Sequence, residues 1–188
     1  ARRLFPRRVE IARRNLELCF PELDQAARER LVGDHFASLG MAAFEIPLAW
    51  WGGDRRFEGL AEISGLENLQ AAADEGRGVL LLSAHFSCLD IGGRFLGRHF
   101  KLDAMYRPSN SPVVEHVMSR SRARHCGEII QREEIKKLLR RLRAGHAIWY
   151  APDQNTQRKK AVFVRFFGHL ASTTPATHKL ARMTGARV

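Results

Sequence analysis

The chain has 188 residues, 45% of them hydrophobic and 27% charged, which excludes a disordered tail and allows one domain with a real core rather than two. Its 31 Lys and Arg against 20 Asp and Glu give a formal net charge of +11, a surface that attracts nucleic acid, anionic lipid head groups or an acidic protein without choosing among them. No apolar run is long enough to span a bilayer, no signal-peptide pattern opens the chain, and Cys19, Cys88 and Cys126 are spaced for neither a zinc ribbon nor a disulfide framework, so they read as reduced thiols.

In chain order, residues 7–20 predict a helix, with Val9, Ile11, Ala12, Leu16 and Cys19 on one face and arginines on the other. Pro21 breaks it, and "PELDQAARERLVGDHFASLGMAAFEIPLAWW" reads as mostly helical, with Asp24 as N-cap and Pro47 as a kink or stop. "FEGLAEISGLENLQAAADEGRG" predicts a short alternating strand, then a helix from about Leu66 to Asp74. "VLLLSA" follows, apolar throughout and too short for a helix, as expected at the centre of a parallel sheet. A helix over 88–99, a strand in "KLDAMYR" and a helix entered near Pro112 come next. A brief strand in "GEIIQR", the amphipathic helix "EEIKKLLRRLRAG" and a third main strand in "HAIWYAPD" follow them. "VFVRFF" reads as a short strand or edge, and "TPATHKLARMTG" as a helix ended by Gly185, with a new strand starting at Val188. The opening without Met and this strand start predict a piece of a longer protein, with 1–188 as a single domain of it.

Alternating strands and helices predict an α/β fold with a mostly parallel central sheet flanked by helices and preceded by a helical N-terminal segment. Ligands in such sheets collect at the carboxyl ends of the strands. His85 falls there, as do Tyr106-Arg107-Pro108 and Pro152-Asp153-Gln154. Asp90 follows His85 at a spacing of five; residues i and i+5 of one helix point about 140° apart, so the two meet only if His85 lies in the turn and Asp90 in the first helical turns. Asp90 would then fix the imidazole tautomer and leave the other nitrogen as a base for a hydroxyl. Gly92 and Gly93 would permit close helix packing. The spacing fits equally a satisfied strand-end histidine beside a surface aspartate.

His-x4-Asp at the end of an apolar strand resembles the signature of the glycerolipid-type acyltransferases. More specifically, "RRVEIARRNLELCFPEL", "GVLLLSAHFSCLDIGG", "MYRPSNSPVVE", "GHAIWYAPDQN" and "VFVRFFGHLASTTPATHKLAR" resemble, in order and approximate spacing, segments of the late acyltransferases of bacterial lipid A biosynthesis, the lauroyl and myristoyl transferase family. Many members carry Glu where this chain has Asp90. The resemblance implies a glycerolipid-acyltransferase-like fold, in a chain that lacks the family's N-terminal membrane helix and a C-terminal portion. A hydroxyl of a lipid A precursor (Kdo2-lipid IVA-like) would attack the thioester of an acyl-acyl carrier protein, on the cytoplasmic face of the bacterial inner membrane. His85 would be the general base and Asp90 its orienting partner. Arg107 would stabilise the oxyanion, with Asn110 as a second donor, and Asp153 and Gln154 would line the site or cap the turn after Pro152.

The basic surface fits an acidic carrier, a phosphorylated acceptor and the membrane surface. Arg158, Lys159 and Lys160, and the polar face of residues 136–143, are candidate contacts as well as ordinary solvated faces. "MAAFEIPLAWW" suits a membrane interface, an acyl groove or a buried helix. No P-loop, strand-borne GxGxxG or zinc pattern is present, so neither a nucleotide cofactor nor a metal is expected. The alternatives are an acyltransferase for a lysophospholipid or glycolipid, whose downstream phosphate-binding motif matches less well, and a basic nucleic-acid- or membrane-binding module. Nucleic acid is disfavoured because the aromatics sit within apolar segments such as "AWW" and "FVRFF" rather than interleaved with cations.

Overall fold

The computed structural model describes residues 5–156 and 161–188, so Arg158, Lys159 and Lys160 lie outside the described residues. Pro6, whose missing N–H costs a first helical turn nothing, opens helix α1 (Pro6–Cys19). Asp24 caps helix α2 (Gln25–Trp51) by accepting from the Ala27 N–H at 2.6 Å. Val9, Val32 and Phe36 pack the two helices together with Ala12 and Leu16, while Ile11 faces out. Pro47 does not stop α2, which continues to Trp51. The strand expected after Phe57 is absent. A 3-10 turn (Asp54–Phe57) buries Phe57 against Phe95 instead, and the alternating residues beyond it have no neighbouring strand to pair with, leaving Leu60 and Ile63 exposed.

From there the chain alternates as predicted: α3 (Leu66–Asp74), β1 (Val79–Leu82), α4 (Leu89–Gly97), β2 (Leu102–Tyr106), α5 (Pro112–Ala123), β3 (Ile129–Gln131), α6 (Ile135–Arg143) and β4 (Ala147–Tyr150). The four strands form one parallel sheet in the order β1-β4-β2-β3. β1 is therefore an outer strand of the four, not the central one expected from its apolar run. It is apolar because both faces are covered: Val79 packs with Leu69, Leu102 and Ala147, and Leu80 with Ile148, Leu142 and Leu180.

The free edge of β1 is partly paired by the chain's last residues. Helix α7 (Ala176–Thr184) ends at Gly185, whose φ of 73° carries the chain back along β1. Leu80 N–H then donates to the Arg187 carbonyl at 2.7 Å, and Arg187 N–H to that of Gly78 at 2.9 Å. This parallel bridge at Arg187 stands where a strand was expected from Val188.

Before α7 a two-stranded antiparallel ribbon, β5 (Val162–Phe166) and β6 (His169–Thr173), stands apart from the main sheet. The second of these strands was not read from the sequence. Phe167 and Gly168 make the two-residue turn with φ of 49° and 78°, the backbone of a hairpin that usually carries Asn-Gly. Phe167 is held in that conformation between Phe166 and Phe20, with ring centroids 4.8 and 5.0 Å away. At the amino end of the main sheet, buried Asp103 accepts Arg141 twice, at 2.7 and 3.0 Å, and the Glu128 N–H at 2.7 Å.

Candidate active site

Strand register builds the site. Leu82 on β1 and Tyr150 on β4 are partners, and the Ser83 N–H extends the ladder to the Tyr150 carbonyl at 2.9 Å. His85 and Asp153 each lie three residues beyond those partners, so they emerge side by side. One Asp153 oxygen accepts the His85 backbone N–H at 2.9 Å, and the other meets His85 Nδ1 at 2.6 Å. Asp153 thus fixes both the backbone and the ring of His85 and, accepting from Nδ1–H, leaves Nε2 as the basic nitrogen. Burial acts to raise the Asp153 pKa, but the bonds from the His85 backbone and ring outweigh it and hold the carboxyl below its ordinary value.

Asp90, expected to orient His85, is engaged elsewhere. It lies in the first turn of α4, where Arg122 of α5 grips it with Nε at 2.8 Å and a terminal nitrogen at 2.9 Å, and the Trp50 indole of α2 donates at 3.1 Å. Its side chain is only 15% exposed. Burial would raise its pKa, yet Arg122 and Trp50 together keep it below the carboxylate norm. The imidazole's carboxylate is therefore Asp153, and Asp90 ties α2, α4 and α5 together beneath the site. Gly92 and Gly93 do not make the close approach expected of them. A Cβ on either would stand 3.9–4.0 Å from Trp149, an ordinary contact.

A cavity of about 770 Å³ opens beside these groups, lined by His85, Asp90, Arg107, Arg122 and Gln154 among others. Its apolar wall straddles the strand ends, with Leu89, Ala104, Met118 and Trp149 toward α4 and α5 and Met105, Tyr150, Leu180 and Met183 toward α6 and α7. Ala49 and Trp50 also line it, so the "AWW" segment faces the groove with its first two residues, while Trp51 and Phe44 point to solvent. Arg107 is exposed at the mouth; Asn110 is exposed and lies outside the cavity lining.

The sequence reading missed Glu115, whose carboxylate accepts the Tyr106 hydroxyl and the Ser109 N–H, each at 2.7 Å, and so folds the loop that carries Arg107. Burial and that carboxylate push the Tyr106 hydroxyl up to about 12. Arg122 was missed too, and so was the bond from Trp50 to Asp90, because nothing local marks a residue that acts across helices. Cys88 and Cys126 are free, and burial raises the Cys126 thiol. Among the described residues no group of three or more His, Cys, Asp or Glu side chains is placed to hold a metal ion.

The model of the family described as bacterial lipid A biosynthesis acyltransferase matches residues 1–188. The chain belongs to that family. The lipid A acyltransferases it resembles include the palmitoleoyltransferase of Escherichia coli (strain K12), 40% identical over 187 residues that make up 99% of this chain and 61% of that protein. The lauroyltransferase of the same organism is 36% identical over the same shares, and its myristoyltransferase 30% identical over 93% of this chain and 54% of that protein. The chain thus spans about three-fifths of the length of the first two acyltransferases (61% each).

Proposed function

We propose that the protein transfers a fatty acyl chain from acyl-acyl carrier protein to a hydroxyl of a lipid A precursor, with His85 as general base. The observation that carries this reading is the Asp153-anchored imidazole at the mouth of an apolar cavity, in a chain of the lipid A acyltransferase family. The acceptor hydroxyl gives its proton to His85 Nε2 as its oxygen bonds to the thioester carbonyl carbon. Asp153 steadies the imidazolium that forms. Arg107 faces the developing oxyanion, and collapse expels the carrier thiolate, which takes the proton back from the imidazolium. Asp90 serves this chemistry from one step back, by holding α4 against Arg122 and Trp50. Gln154 contributes a polar wall to the acyl groove, and Asn110 contacts the acceptor outside it.

The mouth suits anionic partners. Arg107, Arg132 and Lys179 line it, which fits the acidic carrier and a phosphorylated acceptor. We place the protein on the cytoplasmic face of the bacterial inner membrane. Among the described residues no helix is long and apolar enough to cross a membrane. Contact with the bilayer surface would fall to exposed apolar groups such as Phe44, Trp51, Phe163 and Leu170.

The test uses full-length protein in detergent, a lipid A precursor, and carrier protein loaded with radiolabelled lauroyl, myristoyl or palmitoleoyl chains. Label reaching the precursor, and not reaching it with His85→Ala, is the expected result. Transfer to a lysophospholipid instead would keep the base and overturn the acceptor; undiminished transfer by folded His85→Ala would overturn the mechanism.

A further inference from the structure

The parallel strands place a second concavity at the amino end of the sheet, away from His85. It is a hollow of about 410 Å³ lined by the end of α4, the entry to β2 and the connection from α5 to β3. Gly97 makes it possible: a Cβ there would stand 2.5 Å from the His125 carbonyl oxygen, so only glycine lets the end of α4 lie against that connection. The contact gathers Arg98, Lys101 and Arg124 on one hollow, with Asp54 as its single carboxylate. Asp54 is already taken by Arg94. Among the described residues no hydrogen bond or ion pair engages the side chains of Arg98, Lys101 or Arg124.

Arg94 is the second, independent sign. It lines the same hollow at 8% exposure, packs over the Phe57 ring at 5.1 Å, and has a buried Nε without a hydrogen-bond partner. A buried guanidinium N–H left unpaired costs free energy, and an anion in the hollow would offset the burial of the charge that carries it. Burial draws Arg94 down from its ordinary pKa; Asp54 opposes that, and the charge of Arg98 adds to it. Four cations around one committed carboxylate repel one another until a counter-charge arrives.

We propose that this hollow binds a phosphate-type anion, held by Arg98, Lys101 and Arg124 with Arg94 as the buried fourth cation. Guanidinium forks match tetrahedral oxyanions in geometry and are charged at every physiological pH. The anion is either a lipid head-group phosphate or a small soluble phosphate compound, two sources of one chemistry. The hollow shares Arg94, Gly97, His125 and Cys126 with the wall of the larger cavity, yet its chemistry is independent of acyl transfer.

Full-length protein titrated with inorganic phosphate by calorimetry, at ionic strength fixed with sodium chloride, gives the first test. Saturable binding is expected, and Arg98→Gln/Arg124→Gln should weaken it about tenfold or more, since each removes a charge-assisted fork. Both side chains are exposed, so an unchanged circular dichroism spectrum is expected; Lys101→Gln alone provides a milder second variant. Phosphate that binds no better than chloride, or a double variant that keeps wild-type affinity, overturns the proposal. Sedimentation with phosphatidylcholine vesicles, with and without phosphatidic acid, separates the sources. Capture by phosphatidic acid that phosphate competes away and the double variant loses assigns a lipid head group. Phosphate binding with capture that ignores these arginines assigns a soluble ligand.

Discussion

At the scale of single residues, two aspartates that look alike in sequence do different work. Asp153 touches the imidazole and Asp90 does not, which separates their variants. Asp153→Asn should lower kcat about a hundredfold, the scale of an impaired general base, while KM and melting temperature stay near wild type. Asp90→Asn strands Arg122 in a half-buried site and should cost about 3–5 kcal/mol of stability, read by urea unfolding; Asp90→Glu, which can still reach Arg122, should keep part of the turnover. The Asp90 carboxyl also sets an acid limit. Its pKa is below the unfolded value of 3.8, so above that value both states are ionised and the full stabilisation is present. As pH falls from 3.8 through the lower folded value, the unfolded chain takes up the proton first and the stabilisation drains away. Arg122→Ala should flatten that segment of a stability-versus-pH curve measured by urea unfolding. The sequence identified His85 by its place after an apolar run and Asp153 by its place after another. It could not pair them, because the pairing depends on which strands are neighbours.

At the scale of elements, most of the main sheet and its helices were readable because each is short, periodic and punctuated. Pro6 and Pro112 open helices, Asp24 caps one and Gly185 closes another. The failures share one cause, dependence on distant partners. The alternation after Phe57 looks like a strand but has nothing to pair with, whereas "HLAST" pairs with β5 despite a weaker pattern. β1 owes its apolar character to helices on both faces, not to a central position. Leu80, fully buried among Ile148, Leu142 and Leu180, is where that packing is most concentrated. Leu80→Ala should destabilise the protein by about 2–5 kcal/mol, as large-to-small core changes do, with a matching fall in the urea midpoint.

For the whole molecule, charge is the dominant trait, and the structure gives part of the excess of +11 a location that the number alone lacked. Cations line both the mouth of the apolar cavity and the hollow at the opposite end of the sheet. Long-range attraction of an acidic donor is screened over about 10 Å at 0.1 M salt. Raising sodium chloride from about 0.05 to 0.5 M should therefore raise KM for the acyl-carrier donor several-fold and leave kcat nearly constant. A flat KM would remove charge steering from the mechanism.

The strand order has a consequence for how the protein is made. On a ribosome β1 and β2 emerge long before β4, yet β4 must end between them. If the two early strands paired with each other, they would have to separate again to admit it. Residue 153 follows β4, so no nascent chain shorter than that can hold the His85 imidazole against a carboxylate, however well its first half has collapsed. The Asp153–His85 contact thus forms only when synthesis has passed β4 and that strand has threaded into its slot. Under the proposed mechanism, a stalled or clipped chain is inert rather than partly active.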